Sequence, residues 1–283
     1  MKKISLLLVL LVVLLLQGCI RMGSPPNATG EAGNTPVVAP VKHYYMDMQY
    51  SYQTKVDPAL LTTGLHGDYL LLTNKERPLG REFIPAALTP LTCATYGGKT
   101  VELDARAAGA LYLMLQEMAA AGVTDISVTS GYRSYEYQVS LFNFYLSEEQ
   151  KQISSNAIAC FGNDYIQKNY YDKGVGALSA SDAKTVVLSY SAYPGTSEHQ
   201  TGLCVDFMTS TMSDLDNSFA RTDAFAWLSS NAYRFGFILR YPEGKEGITG
   251  YTYEPWHYRF VGREAATDIY FGKLTLEEYL GQG

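Results

Sequence analysis

The chain is 283 residues long, 47% hydrophobic and 18% charged, with 22 basic against 28 acidic side chains for a net charge of −6. That much apolar side chain excludes a wholly disordered chain, and the length suits one or two domains. An acidic balance without a Lys/Arg block excludes a nucleic-acid partner, because phosphate binding needs a basic face that releases counterions.

At the N-terminus, Lys2 and Lys3 precede an unbroken apolar run from Leu6 to Leu16, followed by Gln17-Gly18-Cys19. A positive start, a short apolar core and a small residue before the cut read as an export signal. The run falls well short of the roughly 20 residues that a membrane-spanning helix needs. Leu16-Gln17-Gly18-Cys19 resembles a bacterial lipobox, which implies that residues 1–18 are a lipoprotein signal peptide and that Cys19 carries the lipid. The alternative is an ordinary signal peptide with an incidental cysteine. The expected location is therefore extracytoplasmic, lipid-anchored to the bacterial cell membrane. Cleavage removes two lysines and leaves 20 basic against 28 acidic side chains. From Arg21 to about Lys42 the chain is rich in Pro, Gly, Asn and Thr, has no helical or strand period, and reads as a tether. Residues 43–66 look transitional, so 19–67 is assigned as spacer and lead-in. With no internal repeat, 68–281 is expected to be one globular domain.

Within that domain Asp104 can cap a helix running to about Ala121, with Leu111, Met114, Leu115 and Met118 on one face. Residues 125–130 read as a short strand, and Ser134 starts a second helix carrying Gln138, Leu141 and Tyr145. Residues 202–207 form another strand, Thr222 caps a helix through Tyr233, and 237–241 and 253–260 supply further strands. Helices and strands mix without strict alternation, which predicts an α+β fold.

The chemistry sits in three short segments. Ser197-Glu198-His199-Gln200-Thr201-Gly202-Leu203-Cys204-Val205-Asp206 brings a histidine and a carboxylate close in sequence, and Glu254-Pro255-Trp256-His257 brings a second such pair. Two histidines and one carboxylate, His199, His257 and Asp206, fill three of the four tetrahedral positions of a zinc ion and leave one open, the pattern of a catalytic site. Glu254 is then the general base. On a regular strand Glu254 and His257 would face opposite ways, but Pro255 breaks the strand and lets them share a site. In Ser130-Gly131-Tyr132-Arg133-Ser134 an arginine follows a strand at a glycine turn, placed to reach a cleft and stabilise an oxyanion.

The segments SGYRSYEYQ, PGTSEHQTGLCVDF, GFILRYPEGKEGITGYTYEPWHYRFVG and TLEEYL resemble the VanY-type D-alanyl-D-alanine carboxypeptidases of the LAS metallopeptidases, the group named after lysostaphin, the D-Ala-D-Ala peptidases and sonic hedgehog. The likeness covers about residues 69–280. It implies a small central, mostly antiparallel sheet flanked by helices. It implies one zinc ion on His199, Asp206 and His257, with Glu254 as base, Arg133 near the scissile carbonyl, and Gln138, Ser197 and Trp256 lining the cleft. It also implies a peptidoglycan stem-peptide substrate, trimmed of its terminal D-alanine. An L,D-carboxypeptidase acting on tetrapeptide stems and a catalytically silent zinc domain that binds the wall are the alternatives. A monomer is expected.

Two departures stand out. Cys204 lies two residues before Asp206, on the same strand face. It is either a fourth metal ligand or a small buried hydrophobe, and the poor disposition of strand neighbours around one ion favours the hydrophobe. Residues 145–192 look longer than the family's usual connection, and read either as a lid or wall of the cleft or as a surface insertion. With Cys19 lipidated and Cys204 in a strand, Cys93 and Cys160 are left as a possible disulfide.

Overall fold

A computed structural model describes residues 42–64 and 67–282. The signal peptide, Cys19 and most of the tether lie outside the described residues, as does His66. The described residues fall into two compact units, one within residues 42–143 and 190–282, the other within residues 144–189.

In the main unit, β1 (Leu88–Pro90) pairs antiparallel with β2 (Glu102–Asp104), with Leu88 opposite Asp104. Asp104 then caps α1 (Ala105–Ala120), its carboxylate accepting from the N–H groups of Arg106 and Ala107. This satisfies donors that have no partner within the helix. Leu111, Met114 and Met118 recur at helical spacing and are fully buried, each worth roughly 1.5–3 kcal/mol of burial. Next comes β3 (Ser127–Ser130) and then α2 (Tyr135–Glu149), where Ser134 Oγ accepts from the Tyr137 N–H.

The 144–189 unit holds the end of α2, α3 (Ser155–Phe161), α4 (Asn163–Asn169) and most of α5 (Ala180–Tyr190). Its own small core comprises Ala157, Ile166, Leu178, Ala183, Val186 and Val187, all buried. Ser154 caps α3 by accepting from the Ala157 N–H.

Returning to the main unit, β4 (Cys204–Met208), α6 (Asp223–Asn231), β5 (Phe237–Leu239), α7 (Glu246–Thr249), β6 (His257–Phe260), α8 (Arg263–Gly272) and α9 (Leu276–Tyr279) complete the chain. The four longer-range strands form one antiparallel sheet in the order β3-β4-β6-β5. The fold is thus α+β, with a central antiparallel sheet flanked by helices. Thr222 caps α6, which ends sooner than its sequence pattern suggests and passes into a tight turn over Ala232–Phe235. The strand expected over 253–260 begins only at His257, because Pro255 has no N–H to give to a ladder.

Side chains alternate across β4 and β6. Val205, Phe207, Tyr258 and Phe260 turn into the apolar core that includes the α1 stripe, while Cys204, Asp206, His257 and Arg259 turn the other way. Residues 42–64 fold onto the same unit. Leu61 is fully buried, Glu117 accepts from the backbone N–H groups of Gln53 and Thr54, and His43 Nδ1 lies 2.9 Å from Asp268. Trp227 packs at a tilt against Phe235 at the core's edge. Cys93 corrects one expectation: it is a free thiol, half-buried against the main core, so no Cys93–Cys160 disulfide forms.

Candidate active site

The antiparallel register sets Asp206 directly opposite His257, so the sheet itself supplies two of the expected metal ligands side by side. His257 Nδ1 is 3.0 Å from Asp206 Oδ1. The third ligand, His199, comes from a tight helical turn, Glu198–Thr201, that Gly202 ends at φ 69°. Its Nε2 is 3.1 Å from Asp206 Oδ2. The other ring nitrogen, Nδ1, donates to the carbonyl of Gly131 at 2.6 Å, which fixes the tautomer and leaves Nε2 free to ligate. Close packing against β2 requires the glycine at 131: a Cβ there would sit 2.5 Å from the Glu102 carbonyl oxygen.

All three side chains are buried, and Asp206 Oδ1, the oxygen nearest His257 Nδ1, has no hydrogen-bond partner. Two ring nitrogens converging at about 3 Å on one buried carboxylate suit a shared cation. The donor set, two imidazoles and a carboxylate, matches a zinc or similar transition-metal ion. Burial works against charge on Asp206, yet the two histidines hold its carboxyl far below the usual carboxylate range. Burial and Arg133 oppose a charged His199, but Asp206 and Cys204 outweigh them and raise its pKa.

Glu254 sits in the turn just before β6, where the His257 N–H donates to its carbonyl. Its carboxylate Oε2 is 3.7 Å from His257 Nδ1, so Pro255 does bring the two into one site. Burial pushes the Glu254 carboxyl up to about 7, with Asp206 adding to the rise and His257 opposing it. A carboxyl held near neutrality is poised to take up and release a proton. Arg133, one-fifth exposed, reaches the same cluster, with Nη2 3.7 Å from Asp206 Oδ2. Its backbone N–H donates to the His199 carbonyl, tying the arginine loop to the histidine turn.

Gln138 is buried behind Arg133. Its Oε1 accepts from Arg133 Nη1 at 3.2 Å and its Nε2 donates to the Ala192 carbonyl at 2.8 Å, so it buttresses the arginine. Ser197, buried, opens the histidine turn without capping it. Trp256 belongs to the packed core and keeps 9% of its surface exposed.

Sequence reasoning missed the support behind the ligands. Glu198, fully buried, accepts from Arg240 Nε and Arg259 Nη1, each at 2.7 Å, and its second oxygen lies 3.5 Å from His257 Nε2. Arg240 also grips Glu277 through two nitrogens at 2.6 and 2.9 Å, and Arg259 donates to the Tyr69 and Leu71 carbonyls. Despite burial, the two arginines hold Glu198 ionised well below its ordinary range. A fixed negative charge there orients the His257 ring and favours Nδ1 as its ligating atom. The available signal was a charge inside each apolar strand segment, Ile-Leu-Arg-Tyr and His-Tyr-Arg-Phe. Cys204, fully buried, belongs to the same cluster, its sulfur and the histidine ligand atoms all lying within 4.8 Å of one another.

Residues 100–263 match the model of the VanY family, D-alanyl-D-alanine carboxypeptidase. A D-alanyl-D-alanine carboxypeptidase of Enterococcus faecalis is 36% identical over 75% of this chain, which spans just under two thirds, 65%, of that relative's length. The Bacillus subtilis protein YodJ is 34% identical over 83% of this chain and 76% of its own. Among solved structures, the LdcB LD-carboxypeptidase aligns with TM-score 0.60 at 31% identity, covering 76% of this chain and 87% of LdcB. The vancomycin-resistance D,D-pentapeptidase VanY, solved in complex with Zn(II), aligns with TM-score 0.56 at 34% identity, covering 76% and 99%. VanYB in complex with D-alanine-D-alanine gives TM-score 0.55 at 35% identity, covering 75% and 97%. With the site's geometry and these likenesses in agreement over most of the main unit, the chain belongs to the VanY D-alanyl-D-alanine carboxypeptidase family.

Proposed function

We propose that this chain is a zinc D,D-carboxypeptidase that removes the C-terminal D-alanine from peptidoglycan stem peptides. One observation carries the reading: His199, Asp206, His257, Glu254 and Arg133, drawn from three separated segments, converge on one buried cluster. A bound zinc ion supplies Lewis-acid polarisation of the scissile carbonyl and lowers the pKa of the attacking water. Glu254 takes the proton from that water and returns it to the leaving amine. Arg133 sets positive charge where the carbonyl oxygen becomes anionic, which is worth on the order of 3 kcal/mol. Gln138 holds that guanidinium in place, and Glu198 and the Gly131 carbonyl hold the two imidazoles, so little reorganisation accompanies the reaction.

The test is to incubate the zinc-loaded protein with pentapeptide and tetrapeptide stems and weigh the products. The pentapeptide should lose one D-alanine, chelation should stop the reaction and zinc should restore it. Full activity in a metal-free preparation would overturn the assignment. Amidating the C-terminus should cost much of kcat/KM, since a site that pairs with a free carboxylate rejects a substrate lacking it. The likeness to the LdcB LD-carboxypeptidase favours a second reading, trimming of the tetrapeptide, which the same experiment separates.

We also propose that the protein is a monomer tethered to the membrane through lipid on Cys19. The support is the lipobox-like sequence and the polar tether after it. No helix among the described residues is long and apolar enough to cross a membrane. Loss of metabolic lipid labelling in Cys19→Ala checks the anchor.

A further inference from the structure

Helix α9, in the TLEEYL segment, sends no side chain to the metal cluster, yet its Glu277 is buried and joined to that cluster through two further side chains. Glu198 accepts from Arg240 Nε and Arg259 Nη1 through one oxygen, Oε1. Its other oxygen, Oε2, lies 3.5 Å from His257 Nε2, and neither buried atom has a hydrogen-bond partner among the described residues. Every nitrogen of both guanidiniums is engaged elsewhere than on Oε2. Arg259 directs Nε to the Phe260 carbonyl and Nη2 to the Tyr69 and Leu71 carbonyls. Arg240 directs Nη1 and Nη2 to the two oxygens of Glu277, at 2.9 and 2.6 Å. A guanidinium binds a carboxylate best with two nitrogens on two oxygens. Arg240 makes that contact with Glu277, which leaves its Nε alone for Glu198. Without the Glu277 carboxylate, a terminal nitrogen of Arg240 is released to take Glu198 Oε2 as well. A histidine that ligates through Nδ1 carries its proton on Nε2 and needs an acceptor there to fix tautomer and ring. Glu198 Oε2 is the acceptor in reach.

We propose that Glu277 is a positioning residue for the reaction: by occupying both terminal nitrogens of Arg240 it keeps Glu198 Oε2 free for His257 Nε2–H. His257 Nδ1 is thereby held beside Asp206, 3.0 Å away, as a ligand. The inference rests on the zinc reading above. Glu277 touches neither the ligands nor the reacting atoms and acts through Arg240 and Glu198. Its charge also completes a balance of two carboxylates against two guanidiniums, so the buried group is neutral.

The full chain, loaded with zinc and isotope-labelled at its histidine ring nitrogens, gives a magnetic-resonance readout separate from activity. Two slowly exchanging ring N–H signals are expected from the buried site, one from His199 Nδ1 on the Gly131 carbonyl and one from His257 Nε2 on Glu198. In Glu277→Gln, whose amide oxygen can meet only one of the two nitrogens, the second signal should shift or broaden while the first holds. Zinc should pass from that variant to a competing chelator at least about tenfold faster, and kcat at saturating zinc should fall with KM little changed. Glu278→Gln is the control for a merely structural role. It loosens α9 at Thr275 and Lys245 without touching Arg240, so it should lower thermal stability and leave both signals and zinc release as in the native chain. An unmoved His257 signal with unchanged zinc release in Glu277→Gln would overturn the proposal. Equal changes in Glu278→Gln would reduce Glu277 to an anchor for α9 and overturn it too. A native chain that takes up no zinc would sink the zinc reading, and this proposal with it. Should Glu277→Gln fail to fold, Glu277→Asp keeps the charge but is one methylene short of gripping both nitrogens, and the same two readouts decide.

Discussion

The two faces of the central sheet are both buried, yet they are held by opposite means. On one face Val205, Phe207, Tyr258 and Phe260 pack with the α1 stripe in an apolar core. On the other, Asp206, His257, Arg259 and Cys204 meet His199, Glu198 and Arg240 in a cluster of charges nearly closed to water. The first arrangement stabilises through area removed from water and tolerates hydrophobic swaps of similar volume. The second costs desolvation for every charge and breaks even only if each is paired, as Glu198 is by two arginines and Arg240 by two carboxylates. A protein keeps so expensive a face for chemistry or specificity, and here the paired charges stand directly behind the proposed metal ligands.

The sharpest way to break the comparison is to remove a ligand. His257→Ala should lose the metal and at least about 10³-fold in activity, because several kcal/mol of Lewis-acid stabilisation go with it. Metal analysis and stem-peptide turnover check this. Glu254→Gln comes next: kcat should fall about 10²–10⁴-fold while the metal stays bound, since it deletes a base and not a ligand. Equal metal loss in both variants would make Glu254 a ligand. The pH profile sharpens the point. Glu254 titrates near 7 through burial, a base stops working once protonated, and a bound cation draws that value down. The acid limb of kcat/KM should therefore lie below pH 7 and vanish in Glu254→Gln.

On the apolar face the effect should be of another kind. Leu111→Ala leaves a cavity in the fully buried α1 stripe and should cost about 3–5 kcal/mol of unfolding free energy. Metal content and kcat per folded molecule should be unchanged. A denaturation curve and an active-site titration test both halves, and a fall in kcat would show that the two faces are coupled through the strands.

The apolar face was the more legible of the two in sequence. The α1 stripe and its Asp104 cap are local signals, and the period-two alternation of β4 and β6 follows from geometry alone. The residues that meet in the buried cluster were legible too, because His199 with Asp206 and Glu254 with His257 are short-range pairs in loaded contexts. What the sequence did not disclose is relational. Glu198, Arg240, Arg259 and Glu277 lie far apart in the chain, and only the sheet order β4-β6-β5 collects them. Gln138 read as a cleft residue for the same reason: that its amide is committed to Arg133 and Ala192 depends on a loop 54 residues away.

That amide gives the smallest of the expected effects. Gln138 Oε1 accepts from Arg133 Nη1, and its Nε2 is anchored on the Ala192 carbonyl, so the side chain acts as a strut between a backbone carbonyl and the guanidinium. Gln138→Ala removes one hydrogen bond to a charged group, worth about 1.5–3 kcal/mol in place, part of which water recovers because Arg133 is one-fifth exposed. The guanidinium would remain present but less fixed, and preorganised charge is what the transition state uses. We therefore expect roughly a fivefold to tenfold loss of kcat at about 1 kcal/mol, with KM, metal content and thermal stability little changed. Gln138→Glu is the companion variant: its carboxylate can still accept from Arg133, but a second negative charge beside Asp206 would dampen the positive potential that Arg133 supplies. If Gln138 instead contacts substrate directly, the loss should appear in KM and vary with the length of the stem peptide, and the strut assignment would fall.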